Sequence, residues 1–406
     1  MVERNRQEEG TFVSISGIRQ SFIFQASQNG GNRIFLPEIV SVLTEIIVHI
    51  LMRFAMKTIA YASHSPDSPL VPYSFERREL RDNDVAMEVL YCGVCHSDMH
   101  MSHNDWGMTI YPVVPGHEII GRVTAVGSKV TKYKAGDAVA VGCMVDSCME
   151  CDQCHHGEEQ LCREGMTMTY SSLDRIDHAV TQGGYSKHLV VREEFVLRVP
   201  DGLDLSRAAP LLCAGITTYS PLRTWDVGPG SRVGVIGMGG LGHMAIKLAA
   251  GLGADVTVLS RSEGKRADAM ELGADKFLIS SDASAMDKAQ SSLDLIIDTV
   301  PVKHDLNPYI PLLDIDGTLV IVGQVGPVAE VNTAPLLFGR RRIAASPIGG
   351  IRETQELLDF CARKNILPEC EIIRMDEINT AFERMERSDV HYRFVIDMAT
   401  LETEKK

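Results

Sequence analysis

Positive charge is scarce in this chain of 406 residues: 40 Lys and Arg stand against 54 Asp and Glu, a formal net charge of −14. That balance argues against nucleic acid or an anionic membrane surface as partner, since both recruit proteins through excess positive charge. No apolar run reaches the span of about 20 residues that a membrane helix needs. The nearest approach, Leu36–Met52, is interrupted by Glu38, Glu45 and His49. The N-terminal stretch lacks the basic, apolar and small-residue succession of a signal peptide, so a cytoplasmic protein is expected. Internal repeats and low-complexity tracts are absent too. What remains is ordinary: 45% hydrophobic and 23% charged residues, in a chain long enough for two domains with proper cores.

Ten cysteines are present, but a chain of this length needs no disulfide staples, and their spacing points to metal. Cys148, Cys151, Cys154 and Cys162 form a C-x2-C-x2-C-x7-C run in a mostly polar loop. Four close thiolates can close a tetrahedron around zinc with no free position, the mark of a structural site. A second set begins at Gly93-Val94-Cys95-His96-Ser97-Asp98 and continues at Gly116-His117-Glu118. A lone Cys followed by His suggests the other kind of zinc site, with one position left for water or substrate. Cys92, Cys143, Cys361 and Cys370 lack metal spacing and read as small buried apolar residues.

Residues 1–55 do not share the patterning of the rest of the chain and are expected to be an extension, disordered or outside the natural protein, with Met56 as the natural start. From 56 to 213 the signals are short strands and loops: Met56–Tyr61, Val85–Tyr91, Ile119–Val126 and Ala138–Val141. The character changes near Cys213. Strands Arg232–Ile236, Asp255–Leu259, Leu293–Ile297 and Thr318–Val322 alternate with helices Met244–Gly251 and Lys265–Leu272. Alternation with near-continuous apolar strands implies an α/β fold, a parallel sheet covered on both faces. We expect that domain to run over 214–349. Helices over Glu353–Lys364 and Asp376–Ser388 and a strand Arg393–Ile396 come after it, and residues 350–400 are expected to rejoin the first domain.

Between the first two strands of the α/β region lies Gly237-Met238-Gly239-Gly240-Leu241-Gly242. A buried strand leads in and an apolar helix leads out, the setting of a dinucleotide phosphate loop. Gly237 permits the tight turn, Gly239 lets backbone approach the pyrophosphate, and Gly242 permits close helix–strand packing. The second strand ends without the acidic residue that an NAD site uses to hold the ribose 2′-hydroxyl. Ser260 stands there, followed by Arg261, Ser262, Lys265 and Arg266. Small hydroxyls and cations suit a 2′-phosphate, so NADP(H) is expected. Zinc as Lewis acid beside a dinucleotide suggests hydride chemistry on an alcohol or carbonyl.

Cys95 and His117 are individually ambiguous, and their surroundings decide. Gly93–His100, Pro115–Gly121, the cysteine run, Leu211–Thr217, the glycine loop and Tyr392–Asp397 resemble the zinc-dependent medium-chain alcohol dehydrogenases. The likeness is to the cinnamyl alcohol dehydrogenase branch and its bacterial aldehyde reductases, and runs from Met56 to about Thr400. It implies a β-rich GroES-like catalytic domain, discontinuous in sequence, plus a Rossmann domain with a doubly wound parallel sheet. It implies two zinc ions per chain, with Cys95, His117 and Cys213 on the catalytic one; spacing alone does not find Cys213. By the same resemblance, Asp98 orients the ligating histidine and Glu118 approaches the metal when its water exchanges. Ser97 exchanges a proton with the substrate oxygen, and His100 is the outer end of that relay.

The resemblance further implies a small aldehyde or alcohol substrate, with Trp106, Met108, Pro347 and Ile348 lining its pocket, and a homodimer. Plant lignin enzymes of this branch carry a Trp shortly after the fourth structural cysteine. Met166-Thr167-Met168-Thr169-Tyr170 stands there instead, which argues against strict cinnamyl specificity. Two alternatives are an NAD-dependent polyol or formaldehyde-type dehydrogenase and a non-catalytic zinc or redox sensor. A sensor would need neither the Cys95/His117/Cys213 set nor the Ser97–His100 relay.

Overall fold

A computed structural model describes residues 56–401. The expectations for residues 1–55, including Leu36–Met52, lie outside the described residues. Two sheets organise the described chain. The first has six strands in the order Lys276–Ile279, Asp255–Ser260, Arg232–Ile236, Leu293–Asp298, Leu313–Ile321 and Arg342–Ala345. Every neighbouring pair is parallel. Numbered along the chain this is 3-2-1-4-5-6, the doubly wound order, whose reversal opens a crevice at the strand C-termini. Arg232–Ile236 is buried from Val233 onward, as a strand covered on both faces must be. Helix Gly242–Leu252 leaves its end and buries Met244, Ala245, Leu248 and Ala249 against the sheet. Gly253, at φ +92°, stops it in the left-handed conformation.

The second sheet is mixed. Its path runs Cys370–Arg374, Arg393–Asp397, Asp84–Val94, Ile119–Val126, Ala138–Val141 and Leu197–Arg198, with His188–Arg192 also pairing to Asp84–Val94. Arg393–Asp397 lies antiparallel to Asp84–Val94, with Phe394 opposite Val94. Ile119–Val126 lies antiparallel on the other side, with Cys92 opposite Ile119. These registers bring Cys95, His117, Glu118 and Arg393 to one end of three adjacent strands. Helix Ile351–Lys364 buries Thr354, Leu357, Leu358 and Cys361, an i, i+3, i+4, i+7 stripe. Ile348 and Ile351 pack against the cores of both sheets.

Several elements differ from expectation. The strand expected over Thr318–Val322 starts five residues earlier, at Leu313. The helix expected over Lys265–Leu272 is a 3-10 turn, Glu263–Lys265, followed by Arg266–Glu271. Strands Val71–Arg77, His188–Arg192, Lys276–Ile279, Arg342–Ala345 and Cys370–Arg374 went unforeseen, as did helix Ala214–Thr224. No described helix is long and apolar enough to cross a membrane.

Candidate active site

Strand Asp84–Val94 ends in the turn at Cys95, which opens the short helix His96–Ser102. The Asp98 side chain folds back to accept from the Cys95 N–H at 2.9 Å, fixing the turn. His117 and Glu118 precede strand Ile119–Val126, and the Gly93 N–H donates to the Glu118 carbonyl at 2.8 Å. Cys213 arrives from far downstream, between the 3-10 turn Ala209–Leu212 and helix Ala214–Thr224. One ligand atom each from Cys95, His117, Glu118 and Cys213 lies within 4.8 Å of the others, all four residues buried.

This donor set fits a zinc ion. The Cys95 and Cys213 sulfurs are 3.8 Å apart, far too long for a disulfide. It is the edge of about 3.8 Å that a tetrahedron with Zn–S bonds of about 2.3 Å requires. Hydrogen bonding with Cys213 draws the Cys95 thiol well below its usual range, while contacts with Cys143 and Cys95 push Cys213 up. A cation held between the two sulfurs would displace their protons. His117 Nδ1 is 3.0 Å from Asp98 Oδ1, which leaves Nε2 as the nitrogen free to face a metal. Glu118 Oε1 pairs with Arg393, whereas Oε2 is buried without a hydrogen-bond partner among the described residues. Burial raises the Glu118 carboxyl to about 7, against the opposing pull of Arg393. An orphaned carboxylate oxygen beside two thiols and an imidazole calls for a cation.

The other four sulfurs also fit. Cys148 and Cys154 are 3.8 Å apart, and Cys151 and Cys154 are 3.5 Å apart. Backbone N–H groups of Cys148, Cys151 and Arg163 each point at a sulfur, on Cys162, Cys148 and Cys151 respectively, at 3.4 Å. Such donors stabilise thiolates, and no carboxylate or histidine interrupts the set. All ten cysteines are free thiols.

Ser97 Oγ lies 3.7 Å from Cys95 Sγ, in the first turn of the short helix. His100 is one turn on, its Nδ1 held by Asp105 at 2.7 Å and its ring 5.5 Å from Trp106. Met108 is exposed, Pro347 is exposed and Ile348 is half-buried. Gly237 has φ +86°, and a Cβ on Gly242 would stand 2.2 Å from the Gly237 oxygen. Gly239 faces open space, and Gly240 makes room for Arg393, 2.9 Å from where its Cβ would be. Leu241 immediately precedes the helix and makes no side-chain capping bond. Ser260 ends its strand, its Oγ 3.4 Å from the Ser262 N–H, and Arg261 and Ser262 are exposed. Lys265 reaches back to the glycine loop and donates to the Met238 carbonyl at 3.0 Å. A glycine cradle with this lysine across it fits the phosphates of a dinucleotide.

Residues 81–201 match the family described as alcohol dehydrogenase GroES-like domain, and residues 240–363 match zinc-binding dehydrogenase. The NADP-dependent alcohol dehydrogenase C 1 of Mycolicibacterium smegmatis is 55% identical over 343 residues, 84% of this chain and 98% of that protein. This chain belongs to the zinc-dependent medium-chain alcohol dehydrogenase family. Among solved structures, a cinnamyl alcohol dehydrogenase of Sorghum bicolor matches with a TM-score of 0.83 at 46% identity, covering 86% of this chain and all 100% of that one. The CAD of Helicobacter pylori, solved in complex with NADP(H), gives 0.79 at 41% identity, covering 85% and 99%.

Within this family member, several residues near the site escaped the sequence. Arg393, 5% exposed, joins Glu118 to the glycine loop, yet it drew notice only as part of a matching stretch. His243, wholly buried under that loop, stacks on Tyr392 at 5.0 Å and is pushed down to about 3 by burial, so it stays neutral. Tyr170 and Tyr185 bring hydroxyls to His117 and Asp98. Cys92 and Cys361 are buried as expected, but Cys143 and Cys370 are half-exposed. Cys143 touches the Cys213 thiol, so its place is beside the metal cluster rather than in a core. Its spacing gave no sign of this because Cys213 is brought to it only by the fold.

Proposed function

We propose that this protein reduces small aldehydes with NADPH at a zinc site made by Cys95, His117 and Cys213, and runs the reverse alcohol oxidation. The observation that carries this reading is the buried three-donor cluster with the unpartnered Glu118 oxygen beside it. Bound zinc supplies Lewis-acid polarisation of the substrate oxygen, and bound NADPH supplies the hydride. Asp98 holds the His117 ring with its Nε2 free for the metal. Glu118, tethered through Oε1, keeps Oε2 available to the cluster while a ligand exchanges. Ser97 gives its hydroxyl proton to the substrate oxygen. His100, the outer end of the relay reached through the cofactor ribose, refills it from solvent, its Nδ1 held by Asp105. Cys148, Cys151, Cys154 and Cys162 hold a second, structural zinc.

Ser260, Arg261, Ser262 and Lys265 take the 2′-phosphate side of the cofactor, and Gly237–Gly242 takes the pyrophosphate. NADP preference draws support from the name of the Mycolicibacterium relative. The substrate is of broad type, aromatic aldehydes included, with Trp106, Met108, Pro347 and Ile348 around it. Residues 56–213 and 350–400 make the catalytic domain and 214–349 the cofactor domain. A homodimer forms through the outer edge of Arg342–Ala345, a strand with a partner on one side only among the described residues, near Leu337 and the 92% exposed Phe338. Ten cysteines without a disulfide, six of them read here as zinc ligands, suit a reducing cytoplasm. Oxidation of NADPH with benzaldehyde, abolished by a strong chelator and restored by zinc, is the expected result. No turnover with any aldehyde in zinc-loaded protein would overturn the reading.

A further inference from the structure

Asp98 is wholly buried, and its carboxylate is fully subscribed. Oδ1 accepts from the Gly116 N–H at 2.9 Å and from His117 Nδ1 at 3.0 Å. Oδ2 accepts from the Cys95 N–H at 2.9 Å and from the Tyr185 hydroxyl at 3.2 Å. A carboxylate offers about four acceptor positions, and all four are used. Two of these donors belong to Cys95 and His117, and the third is the backbone just before His117; the fourth, Tyr185, comes from outside the ligand-bearing turns, as does the Tyr170 hydroxyl that also reaches this carboxylate and His117.

Tyr185 is itself held with little freedom. Its side chain is completely buried. Its N–H donates to the Pro115 carbonyl at 2.9 Å, and its own carbonyl accepts from the Tyr61 N–H at 2.9 Å. Gly183 and Gly184 donate to Val114 and Gly116, zipping 183–185 against the segment that leads into His117. That approach needs glycine: a Cβ on Gly183 would stand 2.3 Å from the Pro115 oxygen. Behind the zip sits Arg77, buried and without a carboxylate partner among the described residues. Its guanidinium donates to the Gln182, Gly183 and His188 carbonyls and to Ser186 Oγ. The guanidinium also lies over the Phe75 ring at 4.7 Å, but its hydrogen bonds all go to residues 182–188 and fix the shape of that segment.

We propose that Tyr185 is a positioning residue: its hydroxyl locks the Asp98 carboxylate that orients His117 and the Cys95 turn, and Arg77 anchors it from behind. The inference rests on reading Cys95, His117 and Cys213 as metal ligands. Without the hydroxyl, Oδ2 keeps a single bond, and a buried acceptor is left half satisfied. The carboxylate can then rotate and the two ligands lose their common reference.

Tyr185→Phe removes one oxygen and keeps the ring, so the packing survives. Outer partners of metal ligands are typically worth about 10–100-fold in metal affinity or activity. Zinc transfer from the Cys95 site to a chromogenic chelator should therefore quicken about 10-fold or more. The zinc that remains in Cys95→Ser marks the four-cysteine site as background. The visible bands of cobalt-substituted enzyme should shift, and kcat should fall while KM for NADPH stays within about two-fold. A Tyr185→Phe protein with a lowered Tm but parental zinc transfer and cobalt bands would show mere packing and overturn the proposal. A parent protein whose Cys95→Ser variant loses no zinc would overturn the ligand reading beneath it, and the proposal with it.

Discussion

Two glycines in the phosphate loop should answer differently to the same added methyl. On Gly242, a Cβ would stand 2.2 Å from the Gly237 oxygen and 2.9 Å from its carbonyl carbon. That is about 1 Å inside contact distance, and both atoms are backbone. Overpacking of this kind costs about 1–3 kcal/mol, at the upper end when no side chain can yield. Alanine's better helix propensity returns at most about 1 kcal/mol at the first helical position. The net loss for Gly242→Ala should be about 2 kcal/mol, a fall in Tm of about 3 °C for a chain of this size. On Gly239 nothing lies within 4 Å, so Gly239→Ala should leave stability within about 0.5 kcal/mol. Its methyl instead occupies the space through which backbone N–H groups reach the pyrophosphate. Losing one charge-assisted hydrogen bond costs about 1.5–3 kcal/mol, or about 10–100-fold in affinity. Thermal unfolding and NADPH fluorescence titration measure both effects. Parental NADPH affinity in Gly239→Ala, or a destabilised Gly239→Ala beside a stable Gly242→Ala, would refute the assignment of the loop.

The other expectations concern metal, cofactor and proton. Cys95→Ser should keep the fold and lose turnover, whereas Cys154→Ser should lower stability and solubility because it opens a closed site; elemental analysis and thermal unfolding separate the two. Ser260→Asp should reverse a parental preference for NADPH over NADH, since a carboxylate repels the 2′-phosphate and can accept from a 2′-hydroxyl; kcat/KM with each cofactor decides it. Ser97→Ala should retain both zincs and cofactor affinity while lowering kcat and kcat/KM together by about 10²–10⁴-fold, with His100→Gln costing less because water can replace the outer end; steady-state kinetics at the parental rate would place the relay elsewhere.

Local patterns carried most of what the sequence could tell. The four-cysteine run, the glycine loop and the strand before it are contiguous, so spacing and periodicity sufficed, and Arg232–Ile236, Ile119–Val126 and Ala138–Val141 were read to the residue. Relations across the fold were not legible. Glu118 and Arg393 are 275 residues apart, and nothing local says that their side chains meet. Cys213 came only through resemblance, and Cys143 beside it was misjudged. Lys265 was read as a cation for the cofactor, but its bond to the Met238 carbonyl needs the loop and the second strand side by side. The missed strands have their own reasons. Lys276–Ile279 and Arg342–Ala345 each begin with an exposed cation and bury little, unlike the equally short, all-apolar Ala138–Val141. Both sit at sheet edges, where burial no longer selects apolar residues on both faces.

The central claim is that two zinc ions of unequal role sit in this chain, one of them at Cys95, His117 and Cys213. An anomalous difference map recorded on crystals at the zinc absorption edge tests it most directly. It should show two peaks per chain, one among Cys148, Cys151, Cys154 and Cys162, the other bonded to Cys95, His117 and Cys213. A single peak at the four cysteines, in crystals of protein that reduces benzaldehyde with NADPH, would contradict it.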